Sequence, residues 1–228
     1  MKYFGNEASE KHKTLQQIIR KKDRIDDSKR LFLEIHALLN RSVVSDSLPN
    51  EVDTLFSDLT REEYAIMPTH KDETIAWCIW HIARIEDITM GILVAEKEQL
   101  FNEEWKRKIK VPIIDTGNAL NDDEILKLSN VVDINELMKY RDAVAQRTRR
   151  IISELTFDDM RRKIVSESIE KIRIAGGVTS QKDSIWLLDY WGKKDVAGLL
   201  LMPPTRHVIL HLNDCCKWKK IIRNNEHG

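Results

Sequence analysis

The sequence predicts an all-α protein, a four-helix bundle with long loops or short helices inserted between its long helices. Glycine and proline number 8 and 5 in 228 residues, too few for the many turns of an all-β domain. Four segments repeat apolar residues at three- and four-residue steps, as amphipathic helices do. We therefore expect one domain over residues 1–228, built as an antiparallel bundle whose long crossings hold the irregular segments.

The first helix is predicted over residues 15–44, where apolar side chains such as Leu15, Phe32 and Ile35 recur at helical spacing. The pattern is weakest near Asp26, where the helix could break. The sequence before this stripe is polar and charged, and residues 1–12 are expected to be flexible.

The second helix is predicted over about residues 71–96. Thr69 and Asp72 have the spacing of a capping box, and Trp77, His81 and Ile85 begin an inward-facing stripe.

The third and fourth helices have their own start signals. Asp133 and Glu136 show capping-box spacing before an amphipathic stretch that ends near residue 155. Pro203 and Pro204 suit the entry to a last helix, because a first helical turn does not need their missing N–H groups. Between the helices, residues 97–132 and 156–202 are expected to be irregular excursions with at most short helices, and such segments often border a site.

The overall charge excludes some classes of partner. The chain has 37 Lys and Arg against 37 Asp and Glu, so it lacks the basic excess that favours nucleic acid or an anionic membrane. Its three cysteines include the adjacent pair Cys215 and Cys216, which are badly placed to bridge each other. No stretch has the length and apolarity of a signal or a membrane span. We expect a cytoplasmic protein that acts on a small molecule.

Three histidines carry the chemical signal. His207 and His211 lie four residues apart, on one face of the fourth helix, and His81 lies in the inward stripe of the second. Three neutral imidazoles suit a divalent ion such as Zn²⁺ and leave a fourth position open for water or substrate. An open position is typical of catalytic sites. The alternative is that all three are hydrogen-bonded core residues.

Other residues have two interpretations each. Cys215 is a further ligand or a small buried hydrophobe, and His36 is a pocket residue or a hydrogen-bonded core histidine. Trp77 and Trp80 flank the expected cavity, although aromatic residues at this spacing also form ordinary core. The adjacent acids 86 and 87 are carboxylates behind the metal ligands or, as we favour, a solvated polar face.

The strings TIAWCIWHIARIED and LLLMPPTRHVILHLND resemble the DinB-like (DinB/YfiT-like) superfamily of metalloenzymes, over about residues 25–222. That family has one histidine on the second helix of a four-helix bundle and an HxxxH pair on the fourth. The matching positions here are His81, His207 and His211. The chain departs from the commonest pattern after the last histidine, where Leu212, Asn213 and Asp214 replace arginine, glycine and glutamine.

The resemblance implies one divalent metal ion, zinc or nickel rather than iron. Iron-using relatives have HxxxHxE, and Asn213 replaces that acid here. It also implies a transferase that acts with a low-molecular-weight thiol such as bacillithiol or mycothiol, and it allows a homodimer. Two alternatives stay open: a metal-dependent hydrolase, and a non-catalytic helical protein of the stress response that senses metal. The sequence identifies no general base.

Overall fold

The structure is a computed structural model that describes residue 4 and residues 6–225. These residues form α-helices joined by loops and short 3-10 or π-helical turns, with an isolated bridge between Lys163 and Asp195 and no β-strand. The predicted all-α class is confirmed. The helices are α1 (Asn6–Ile18), α2 (Ile25–Leu38), α3 (Glu51–Phe56), α4 (Ile75–Ile88), α5 (Glu103–Ile109), α6 (Asp122–Val131), α7 (Ile134–Glu154), α8 (Phe157–Arg161), α9 (Ser166–Ile174), α10 (Lys182–Gly192), α11 (Val196–Leu200) and α12 (His207–Asn225).

The bundle is formed by α2, α4, α7 and α12. Every residue of α4 is buried, because this helix is apolar on all sides and lies at the centre of the bundle. No helix in the described part of the chain is long and apolar enough to cross a membrane.

The helix directions correct the expected antiparallel arrangement. Cys78 donates to the carbonyl of His211, three residues from the contact between His81 and His207, so α4 and α12 run antiparallel. Along α7, however, Tyr140 contacts Trp80 and Arg147 lies beside Asp87, so α4 and α7 run parallel. Parallel neighbours need a connection as long as the helices themselves, and the segment 97–132 provides it.

The first predicted helix is also corrected. The chain reverses between α1 and α2 through a 3-10 turn at Lys22–Arg24, and an ion pair between Lys11 and Glu34 joins the two antiparallel helices. Both helices have the same apolar period, so periodicity could not show the reversal. The expectation that residues 1–12 are flexible is wrong for 6–12, which belong to α1 and bury Ala8 and His12. Residues 1–3 and 5 lie outside the described residues.

The second predicted helix begins four residues late. Thr74, not Thr69, is the N-cap, since its hydroxyl accepts a hydrogen bond from the Trp77 N–H. A π-helical turn, Thr89–Val94, continues α4. The excursions 97–132 and 156–202 contain more helix than expected, from α5 to α6 and from α8 to α11. Thr116 N–H donates to the carbonyl of Gly177 and thereby joins the two excursions.

Asp87 binds the first excursion, residues 97–132, to the bundle through hydrogen bonds. Its carboxylate accepts hydrogen bonds from the N–H groups of Leu100 (2.7 Å) and Phe101 (2.8 Å) and from the Tyr140 hydroxyl (2.7 Å). The buried guanidinium of Arg84 is 3.4 Å away. A buried charge pair is stable only when its other hydrogen-bonding positions are filled, as they are here.

We expect Asp87→Ala to lower the free energy of unfolding by about 3–5 kcal/mol, because it leaves Arg84 charged, buried and unpaired. Urea denaturation followed by circular dichroism measures the change. Asp189→Ala is the matched control, since it removes an exposed pair with Lys193 and should cost less than about 1 kcal/mol. Equal losses in the two variants would contradict the role of Asp87.

Candidate metal centre

The three predicted histidines converge. His81 lies in the middle of α4, and His207 and His211 occupy the first two turns of α12. A π-helical turn, Met202–Arg206, precedes α12. The four-residue spacing on α12 places both of its imidazoles on the face that meets α4.

The distances suit one metal ion. The Nε2 atoms of His81 and His207 are 3.1 Å apart, and one nitrogen from each of the three rings lies within 4.8 Å of the others. Ligand atoms around a tetrahedral zinc ion, bound at ~2.0–2.1 Å, are about 3.3 Å apart. Small side-chain movements would therefore bring the three nitrogens to a shared ion, and this cluster could hold one.

The environment keeps the three rings neutral, which is the form that binds metals. Burial, together with the nearby His211, lowers the pKa of His81 to about 3. Burial and the two neighbouring imidazoles lower the pKa of His207 well below its ordinary value, and burial lowers that of His211.

One of the three rings has its orientation fixed by the backbone. His81 Nδ1 lies 2.8 Å from the Thr116 carbonyl, so this nitrogen carries the proton and Nε2 presents a lone pair to the cluster. The Nδ1 atoms of His207 and His211 are buried and have no hydrogen-bond partner among the described residues. With the ring proton on Nδ1, the Nε2 atoms of these rings are free to bind, so three converging neutral imidazoles fit a cation.

That backbone contact is one of four neighbouring hydrogen bonds between α4 and residues 114–117, which we call the ladder. Four side chains of α4 donate to four consecutive carbonyls, those of residues 114–117, and so hold this stretch of chain along the helix. The hydrogen bonds are Arg84 Nε to Ile114 (3.0 Å), Trp80 Nε1 to Asp115 (3.0 Å), His81 Nδ1 to Thr116 (2.8 Å) and Trp77 Nε1 to Gly117 (3.0 Å).

A cavity of about 420 Å³ opens beside the imidazoles. Trp77 forms one wall, and its ring stacks on His81 with a centroid separation of 4.6 Å and an interplanar angle of 10°. Apolar and aromatic side chains form most of the remaining surface. The lining residues are Glu73, Trp77, His81, Ile85, Gly117, Asn118, Leu120, Ile125, Trp186, Leu187, Tyr190, Trp191, Met202, Pro203, His207 and His211.

Glu73 is a carboxylate in this wall that the sequence analysis did not identify. Burial raises its pKa, and the nearby His211 opposes the rise. Asp214 lies on the same side of His211, and burial raises its pKa as well. Both acidic groups are close enough to His211 to act on the charge of its ring.

Two of the expected cavity residues lie elsewhere. Trp80 does not line the cavity, because its ring packs between Phe101 and Tyr140. His36 is a core histidine: it is fully buried, and its Nε2 lies 3.0 Å from a carboxylate oxygen of Glu86.

Cys215 is not part of the imidazole cluster. It is fully buried, and both burial and a contact with the thiol of Cys78 raise its pKa well above the ordinary value. The expectation of a solvated face for acids 86 and 87 is wrong, since Glu86 is 4% exposed and Asp87 is 2% exposed. Buried carboxylates need partners, and His36 and the Asp87 contacts described above are those partners.

Sequence reasoning missed the wall that α10 contributes. Trp186 and Tyr190 lie four residues apart on this helix, with ring centroids 5.8 Å apart. An aromatic pair at i and i+4 in a segment of uncertain structure was the available signal. Gly117 was also missed, although the surrounding DTGN is a sequence typical of a turn with a left-handed glycine.

Comparison with known proteins identifies a family. A family model described as the DinB superfamily matches residues 46–180, more than half of the chain. The match includes α4 with His81 and ends before the HxxxH pair of α12. Comparison with curated proteins gave no match.

We expect Gly117→Ala to destabilise the fold by about 1–3 kcal/mol, because Gly117 has a positive φ of 75°. A Cβ atom there would lie 2.9 Å from Trp77 Nε1, and the displaced indole would disturb His81. Gly192→Ala is the control, since its nearest neighbour is Ile169 Cγ1 at 3.6 Å. Thermal unfolding compares the stabilities of the two variants. A Gly117→Ala variant as stable as the wild type would contradict this role of Gly117.

We also expect the stability of the metal-free protein to fall on acidification. The pKa values of His81 and His207 are lowered on folding, so the unfolded chain binds more protons than the folded chain below pH ~6.5. Each of the two groups then lowers the free energy of unfolding by up to about 1.4 kcal/mol per pH unit. The free energy of unfolding should therefore decrease between about pH 6.5 and 5. His207→Asn should flatten this slope, and an unchanged slope would contradict the assignment.

Proposed function

Because the chain belongs to the DinB superfamily, we propose that it is a metal-dependent enzyme whose metal ligands are His81, His207 and His211. Zinc or nickel is the ion that the family resemblance implies, although neutral imidazoles also bind copper and iron. The observation that carries the proposal is the convergence of three imidazole nitrogens, from two helices distant in sequence, within 4.8 Å of one another. The cavity beside them gives a small molecule access to the ion.

A bound divalent ion would supply Lewis acidity, which lowers the pKa of a coordinated thiol or water. The chain's own residues would prepare the site for that chemistry. Thr116 keeps the His81 ring in one tautomer, and the Trp77 indole covers that ring. The apolar walls limit the water around a bound substrate, which strengthens electrostatic interactions in the cavity.

We favour transfer of a low-molecular-weight thiol to an electrophilic small molecule. The thiol would lose its proton to water and become a thiolate. Its sulfur would then form a bond to the electrophilic atom, while the bond from that atom to the leaving group breaks and the leaving group departs with the electron pair. Three protein ligands leave room for that sulfur, and a cavity of about 420 Å³ accommodates small molecules of this kind.

A metal-dependent hydrolase is the second candidate, and Glu73 favours it. This carboxylate faces the same cavity as the imidazoles, where it could accept a proton from a water molecule. A non-catalytic protein that senses metal would have the same ligands without turnover.

We expect protein purified without an affinity tag to retain one divalent ion per chain after dialysis. His211→Ala should lose it while the helical circular dichroism remains, because two imidazoles hold an ion more weakly than three. Elemental analysis measures the metal content. His70→Ala removes an exposed histidine outside the cluster and should change nothing. A wild-type protein without metal would contradict the proposal.

Turnover separates the three candidates. Zinc-loaded protein is incubated with 2-mercaptoethanol, a thiol without a second ionisable group, and 1-chloro-2,4-dinitrobenzene, and separately with 4-nitrophenyl acetate. Formation of the thioether that is lost in His211→Ala supports the transferase, and release of nitrophenol that depends on Glu73 supports the hydrolase. Tight metal binding without either product supports the sensor.

A further inference from the structure

The charges on the cavity wall are all negative or neutral. Apart from the three histidines, Glu73 is the one acidic or basic side chain among the lining residues that titrates below pH 8 in water, and no lysine or arginine lines the described cavity. Proteins recognise carboxylates and phosphates with arginine or lysine. A ligand with such a group would therefore find no cationic side chain here.

Nearby cations do not change this picture. Lys217 is paired with Asp72 at 3.1 Å. Lys194 lies with its Nζ 4.4 Å from the centroid of the Tyr190 ring, but its side chain does not line the cavity. Glu73 itself makes no ion pair within the described residues and is half-buried. Its charge therefore acts on the ligand with little compensation from the protein.

The charge of a bound metal ion must be counted together with the charges of the cavity wall. A divalent ion on three neutral imidazoles is balanced by one anionic ligand atom, such as a thiolate, together with the Glu73 carboxylate. A second anionic group on the ligand would be left without a counter-charge in a partly dry cavity. A ligand with at most one anionic atom, the one that binds the ion, therefore suits this charge balance.

The part of the wall that α10 contributes favours a flat ligand. Trp186 is 48% exposed although it lines the cavity, so part of its ring is available to a ligand. Tyr190 meets Trp186 edge to face at 66°. Aromatic rings in this arrangement pack well against planar apolar groups. The helix that carries both, α10, lies beyond the residues matched by the family model.

We propose that this cavity takes an uncharged ligand with a flat apolar body, and that Glu73 discriminates against ligands with a carboxylate or phosphate away from the metal-binding atom. The part of this proposal that concerns a bound metal ion rests on the proposed function, whereas the part that concerns the cavity wall does not. Glu73 is a specificity-determining residue in this account, and the α10 aromatic pair is the surface against which the ligand packs.

The first test uses two thiols of equal length, 3-mercapto-1-propanol and 3-mercaptopropionate, with zinc-loaded protein and isothermal titration calorimetry. We expect the neutral thiol to bind at least about tenfold more tightly. Glu73→Gln, which keeps the side-chain shape and removes the charge, should reduce that ratio to about twofold or less. Glu154→Gln, at an exposed position on α7, should leave the ratio unchanged.

The second test omits the metal. Benzyl alcohol and benzoate are titrated into metal-free protein by ligand-observed NMR. Benzyl alcohol should bind and benzoate should bind at least about tenfold more weakly, and Trp186→Ala should weaken the binding of benzyl alcohol.

The outcomes are distinguishable. Equal binding of the charged and neutral probes, or a ratio that Glu73→Gln does not change, overturns the proposal even if the metal is present. Failure of all four probes to bind overturns it as well. If the protein retains no metal but still prefers benzyl alcohol to benzoate, the proposed function fails and this inference stands.

Discussion

The site depends on one constraint: the segment 114–117 is hydrogen-bonded to the side chains of α4. Four donors on a completely buried helix meet four consecutive backbone carbonyls at 2.8–3.0 Å. Buried polar groups are costly unless they are paired, so neither the helix nor the segment can shift without losing several hydrogen bonds. His81 is one of the four donors, and the orientation of one imidazole of the cluster is thereby linked to the packing of a long connection.

This constraint explains why a helix as apolar as α4 carries Arg84 and Asp87 in its interior. Arg84 donates to the first carbonyl of the ladder, and Asp87 accepts hydrogen bonds from the start of the same excursion. The parallel course of α4 and α7 requires that excursion to run the length of the bundle. The contacts that hold this excursion along α4 therefore include the one that orients His81, and the fold and the site are stabilised by the same group of hydrogen bonds.

Local patterns predicted the helical class, the HxxxH face of α12 and the position of His81, because these depend on spacing along one helix. They did not predict the reversal between α1 and α2 or the parallel direction of α7, since periodicity contains no information about direction. Glu73 was missed for a related reason. It precedes the first residue of α4 and enters the wall only through the packing of α4 against α12. Trp80 and His36 had the correct period, but Phe101 and Glu86 determine where they point.

X-ray absorption spectroscopy of the metal-loaded protein tests the central claim most directly, because it counts the atoms that surround the ion. The account predicts three imidazole nitrogens at about 2.0–2.1 Å, one exchangeable oxygen and no sulfur from the chain. A sulfur ligand in protein free of added thiol, or a coordination shell with fewer than three imidazoles, would contradict it.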